Sequence, residues 1–123
     1  MLAQVRRFLE AHGEARFVDW NRPATKDDHA PRVMNRCGYR RYDDSTGPNA
    51  GPHWYVFPEI FKAEVCKGHD ASAVGRLLLS LGHLERGTEK DRPYTSRHDL
   101  PGEGRRRVYH IMPGIMGEGI DAD

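Results

Sequence analysis

Long apolar runs are missing from this sequence: none approaches the roughly 20 residues that span a bilayer, so no membrane-crossing helix is expected. Cysteine is scarce. Cys37 and Cys66 are the only two in 123 residues, too few for a disulfide framework. Apart from His69 near Cys66, neither has a second cysteine or histidine at zinc-ligand spacing. Buried or half-buried reduced thiols are therefore expected. A phosphate-cradling loop is also absent: GPNAGP (47–52) has the glycines but neither the lysine nor the hydroxyl of G-x-x-x-x-G-K-[ST]. Histidine is plentiful, seven in all, yet His12, His29, His53, His69, His83, His98 and His110 form no HExxH-like pair. Ser72 and Cys66, the nucleophile candidates, have no recognisable base or oxyanion motif. Together these absences predict a chain with no catalytic residue, no metal and no cofactor, not an enzyme by itself. The N-terminal MLAQVRRFLEAHGEARF carries charges every few residues, unlike a secretory signal. A cytoplasmic protein is expected.

What the sequence does contain is clear helix punctuation. In EVCKGHDASAVGRLLLSLGHL (64–84), Gly68 suits the left-handed end of one helix. Asp70 then suits the cap of the next. Ala71, Val74, Leu77, Leu78 and Leu81 follow at the spacing of a buried stripe, and Gly82 closes that helix. Upstream, Leu2, Val5, Phe8 and Leu9 share a face of a helix over 2–12 that stops at Gly13. RFVDW (16–20), VMNRCGYRRY (33–42) and HWYVF (53–57) read as strands. The segments 21–32 and 43–52 are rich in turn-formers and read as loops. Pro58 suits a first helical position, and Phe57 before it is pushed into extended geometry, so a helix over 58–67 follows the strand directly. RPYTSRHDL (92–100) and RRRVYHIM (105–112) flank the turn PGEG as a hairpin.

This order predicts an α+β, winged-helix-like fold: a helix-turn-helix plus a β-hairpin wing, with an inserted β-element between the first and second helices. The expected domain covers 1–112, followed by a flexible acidic tail over 113–123. Trp20, Tyr39, Trp54 and Tyr55 are expected mainly in the core, with a base-stacking platform as the alternative.

Net charge is only +1, but its distribution is uneven. The hairpin carries Arg92, Arg97, Arg105, Arg106 and Arg107 against Asp99 and Glu103, which points either to phosphate binding or to a solvated hairpin. On the second helix of the pair, Ser72, Ala73, Gly75, Arg76 and Leu79 point away from the leucine stripe, and only Arg76 suits a strong contact to guanine or phosphate. Lys67 and His69 flank the turn. The expected DNA-contacting set is Lys67, His69, Ser72, Arg76, Arg97, Arg105, Arg106 and Arg107. Alternation sends Arg105 and Arg107 to one face of their strand and Arg106 to the other.

The strings HGEARFVDW, NRCGYRR, WYVFPEIFKAEVCKGHD and LPGEGRRRVYHI resemble the C-terminal region of large proteins encoded by phages, plasmids and genomic islands. These are the superfamily II helicases and inactivated derivatives that are often fused to or paired with primases. The similarity runs from Val5 to Ile111, and its most specific pieces are HGEARF (12–17), NRCGYR (35–40), FPEIFKAEVCKG (57–68) and LPGEGRRRVY (100–109). None of these is a catalytic motif, and the ATP-hydrolysing residues of that family lie in an upstream core that this sequence lacks. The resemblance implies a non-catalytic accessory domain of a mobile-element replication helicase. Its partner is DNA, duplex or single-stranded and without base specificity; alternatively it is a docking module for the upstream helicase core or the helicase–primase assembly. Oligomeric state is not legible in the sequence.

Overall fold

A computed structural model of the chain describes residues 1–21, 35–42 and 51–116. Three helices pack on one side of a five-stranded sheet. The first helix, α1 (Leu2–His12), buries Leu2, Val5 and Leu9 and leaves Phe8 half-buried. It stops at Gly13, but not through a left-handed cap: Gly13 is helical at φ −61°. A Cβ there would meet the Leu9 carbonyl oxygen at 2.5 Å and the Trp54 ring at 2.7 Å. Gly13 is therefore needed so that Trp54 can approach.

The strands β1 (Phe17–Asp19), β2 (Gly38–Tyr42), β3 (Pro52–Val56), β4 (Ser96–Leu100) and β5 (Gly104–Ile111) lie in the order β1-β2-β3-β5-β4. The β1–β2 pair is parallel and the other three pairs are antiparallel. Two expected strands begin later than their patterns suggest. β2 starts at Gly38, because Asn35 takes a positive φ of 53° and breaks the extended run. β4 starts at Ser96, because Arg92 donates its N–H to Glu89 and closes a turn. The expected loop residues 22–32 and 43–50 lie outside the described residues.

Side chains alternate across a strand, and the two sheet faces accordingly carry different clusters. Phe17, Trp54, Val56, Tyr109 and Ile111 meet the helices, with Phe61 stacked on Tyr109 at a centroid distance of 3.7 Å. Val18, Tyr39, Tyr55, Phe57, Leu100 and Val108 form a second cluster on the opposite face, with Trp20 against it. Tyr39, Trp54 and Tyr55 are buried, so these three rings are core and not a stacking platform.

Phe57 is extended (φ −62°, ψ 138°) and Pro58 opens α2. The helix expected over 58–67 is regular only through Pro58–Ile60, and it then widens into a π turn over Phe61–Val65. Cys66 donates to the Phe61 carbonyl at 2.9 Å, five residues back. A π turn brings residue i+5 close to the face of residue i, so Phe61, Val65 and Cys66 are all buried. The Gln4 side chain caps this end by donating to the carbonyls of Val65 and Lys67.

Gly68 then takes φ +85°, and Asp70 accepts the Ala73 N–H at 3.0 Å to cap α3 (Ala71–Ser80), as the spacing predicts. Gly82 follows at φ +77°. Val74 and Leu78 are buried, but Leu77 is half-buried and Leu81 is exposed, because the helix ends at Ser80 before its stripe completes another turn. Gly75, expected on the outer face, lies under the Tyr94 ring. The boundary expected at 112 also moves. Pro113–Met116 forms a 3₁₀ turn that buries Ile115 against the helices, so the packed unit runs at least to Met116. Residues 117–123 lie outside the described residues.

Candidate functional site

β4 is shorter than β5, and the segment after α3 fills the gap it leaves. Leu84 bridges Ile111, Glu85 donates its N–H to His110 and Met112 donates to His83. This places the Glu85 side chain beside His110 of β5 and His98 of β4, on the sheet face away from the helices. Glu85 Oε1 lies 2.9 Å from His98 Nε2 and 3.2 Å from His110 Nδ1. Ser96 Oγ lies 3.0 Å from His98 Nε2. His53 Nδ1 on β3 lies 2.9 Å from His110 Nε2, and the Tyr55 ring stacks on His110 at 4.4 Å.

The electrostatics follow from these contacts. Burial by itself raises the Glu85 pKa, but hydrogen bonds from Ser96, His98 and His110 outweigh it and bring the carboxyl to about 2. Burial pushes His110 down to about 4, with His98 and His53 adding to the depression and Glu85 opposing it. His110 is therefore neutral at pH 7. It donates Nδ1–H to the carboxylate and accepts at Nε2 from His53.

The sign of the pH dependence is fixed by these shifts. Unfolded His110 binds a proton near its ordinary 6.5, and so does His83, which burial and nearby Arg6 also hold low. The stability due to neutral burial is complete above pH 6.5 and is lost as pH falls toward 4. For His110 that loss is on the order of 3 kcal/mol. A melting temperature by circular dichroism should fall steadily between pH 7 and 4.5. A flat profile over that range would remove the neutral, buried His110.

No family model, curated protein or solved structure matches this chain.

The arginines expected to meet DNA are not equivalent. Arg107 is held by both Glu89 oxygens at 2.9 Å and by Thr95, with its side chain only 18% exposed. Arg106 lies over the Phe57 ring at 4.5 Å, and pairs with Glu103 at 3.0 Å and Glu59 at 3.9 Å. Glu103 in turn accepts from the Tyr39 hydroxyl and from Arg36. Two of the three expected wing arginines are thus structural, and the alternation expected for the run places Arg106 apart from the other two. Arg97 pairs with Glu89 at 3.2 Å but remains exposed, and Arg105 reaches Asp99 only at 3.7 Å. Such exposed pairs contribute little, so both arginines are available. Lys67, His69, Ser72 and Arg76 are all exposed, at or near the turn between α2 and α3.

The residue that composition did not single out is Arg86. It is exposed and lines two clefts. The first, of about 230 Å³, is bounded by Arg76, Leu79, Ser80, Pro93 and Tyr94. The second, of about 330 Å³, takes in Arg97, Arg105 and Arg107 together with Glu85, Glu89 and His98. Among the described residues Arg76 and Arg86 carry no acidic partner.

Proposed function

We propose that the chain is a winged-helix-type domain that grips the phosphate backbone of DNA without reading bases. In that role it serves as a non-catalytic accessory part of a mobile-element replication helicase, the setting that the sequence resemblance implies. The strand order β3-β5-β4, with α2, a tight turn and α3 between β3 and β4, is consistent with a helix-turn-helix followed by a wing. The observation that carries the reading is the pair of clefts sharing Arg86, which forms a cationic track from Arg76 on α3 to Arg97 and Arg105 on the hairpin. Base readout is disfavoured because Tyr94 covers Gly75 on the side of α3 that would enter a groove. Phosphate contact needs no such entry.

The test is an anisotropy titration with duplex and single-stranded DNA of scrambled sequences at several salt concentrations. With Arg76, Arg86 and Arg105 engaged, the logarithmic salt slope on duplex is about −3, at roughly −0.9 per phosphate. Replacing these three with alanine should abolish most of the slope and weaken every sequence equally. Arg107→Ala should act on the melting temperature instead, because its guanidinium is committed to Glu89. Absence of binding at low salt overturns the reading. A second reading, docking onto the upstream helicase core, draws on the apolar wall that Leu79, Pro93 and Tyr94 give the smaller cleft. It predicts association that Leu79→Glu weakens and the arginine variants leave unchanged.

A further inference from the structure

We propose that Glu85, His98 and His110 form a binding site for one divalent transition-metal ion of the zinc class. Each of the three offers a ligand atom, and these atoms all lie within 4.8 Å of one another. Glu85 Oε1 stands 2.9 Å from His98 Nε2 and 3.2 Å from His110 Nδ1. Tetrahedral zinc with bonds of about 2.0–2.2 Å holds its ligand atoms roughly 3.3–3.6 Å apart. The Glu85 contacts are slightly shorter than this, so a small outward adjustment of its carboxylate admits an ion.

Three features make this more than a chance meeting of polar groups. The ligands come from three chain segments whose relative positions are set by backbone pairing: β4, β5 and the 83–85 segment on the β5 edge. The His110 ring is held in place from outside the cluster, as a metal-bound imidazole needs to be. His53 Nδ1 stands 2.9 Å from His110 Nε2, and Tyr55 stacks on the His110 ring within 14° of parallel. His110 is 7% exposed, while Glu85 and His98 open onto the 330 Å³ cleft, which gives the ion an entry path and leaves room for water as a fourth ligand.

Metal loading reverses the tautomers. His110 must free Nδ1 for the ion and carry its proton on Nε2, so His53 Nδ1 changes from donor to acceptor. Two imidazole nitrogens with one carboxylate select zinc, cobalt or nickel over magnesium and calcium, which prefer all-oxygen shells. Of the cleft's arginines only Arg107 is firmly neutralised, by Glu89, so the three ligands hold a cation against the charge of Arg86, Arg97 and Arg105.

The test uses the full chain freed of metal with a chelator and titrated with Co²⁺ under its visible absorption bands, then with Zn²⁺ in competition. One saturating equivalent is expected, displaced by Zn²⁺ and indifferent to millimolar Mg²⁺. Glu85→Gln and His98→Gln should each weaken binding by more than the roughly 10–100-fold that loss of an outer partner costs. His110→Gln is the third variant. If it fails to fold by circular dichroism, the other two, whose side chains are only half-buried, still decide the matter. No saturable Co²⁺ spectrum, or equal binding by the parent and both half-buried variants, overturns the proposal.

Discussion

Leu78→Asp is expected to leave the chain without a cooperative thermal melt, whereas Leu77→Asp should keep the fold and only lower its melting temperature. Leu78 is fully buried with Val74, Phe61 and the other helix residues that meet the sheet. Removing a leucine side chain from such a site costs about 2–5 kcal/mol. An unpaired carboxylate in the same place adds several more or forces its own protonation. The sum approaches the roughly 5–15 kcal/mol that holds a typical domain together. Leu77 is half-buried, so an aspartate there reaches water, and its cost falls in the range of about 1–2 kcal/mol expected of ordinary substitutions. Circular dichroism melts of the two variants measure the difference. A native melt for Leu78→Asp would show that α3 does not present this face to the core.

Gly38→Ala should be nearly as damaging, although it adds a single methyl group. Gly38 opens β2 at φ +154°, paired with Phe17 of β1 on one side and Val56 of β3 on the other. A Cβ at this position lands on the Tyr55 carbonyl oxygen, 2.8 Å from its carbon and 3.1 Å from Val56 Cα. All three obstacles are backbone, so no rotamer change relieves the overlap. Moving β2 away breaks its pairing with β3, and through it the seat of β1. A loss above about 4 kcal/mol places this among the exceptional single substitutions. Gly82→Ala is the control. It shares a positive φ of 77° but meets nothing within 4 Å, so it bears only the left-handed penalty of about 1–2 kcal/mol. Urea midpoints of the two variants should differ clearly, and equal midpoints would refute the packing at Gly38.

The helix pair was readable because its signals are local. Asp70 caps through its own side chain, and Gly68 and Gly82 relieve their own backbones, so the residue types alone carry the meaning. Burial on α3 was only partly readable. Leu81 fits the stripe by spacing, but the helix stops before it, and Tyr94 packs against Gly75 from a loop no periodicity describes. The π turn was illegible for a similar reason: PEIFKAEVCK satisfies an α-helical pattern, and only the demand to bury both Val65 and Cys66 behind Phe61 widens it. The histidine–glutamate cluster shows the limit most clearly. Glu85, His98 and His110 have no motif spacing, and they meet only because β4 and β5 pair in one register while residues 83–85 take the remaining edge. Charge misled in the opposite direction. Alternation along RRRV separates Arg106 from its neighbours, but it does not show that Glu89, 18 residues away, claims Arg107, or that Glu103 in the adjoining turn claims Arg106.

The sheet order has a consequence for how the molecule comes into being. β5, between β3 and β4, is the last of the described strands to be synthesised, and both neighbours pair with it. Until it emerges, β3 carries Trp54, Tyr55 and Val56 along an open edge, and the helices have no Tyr109 or Ile111 to close against. Pairings across such separations close slowly, because the loop entropy is lost before the contacts form. Between the synthesis of β3 and that of β5, a nascent chain thus holds one edge of β3 open, with only β2 on the other side, and an open edge is a place where another chain can join. The eight residues of β5 close that edge and seat β4 in one step.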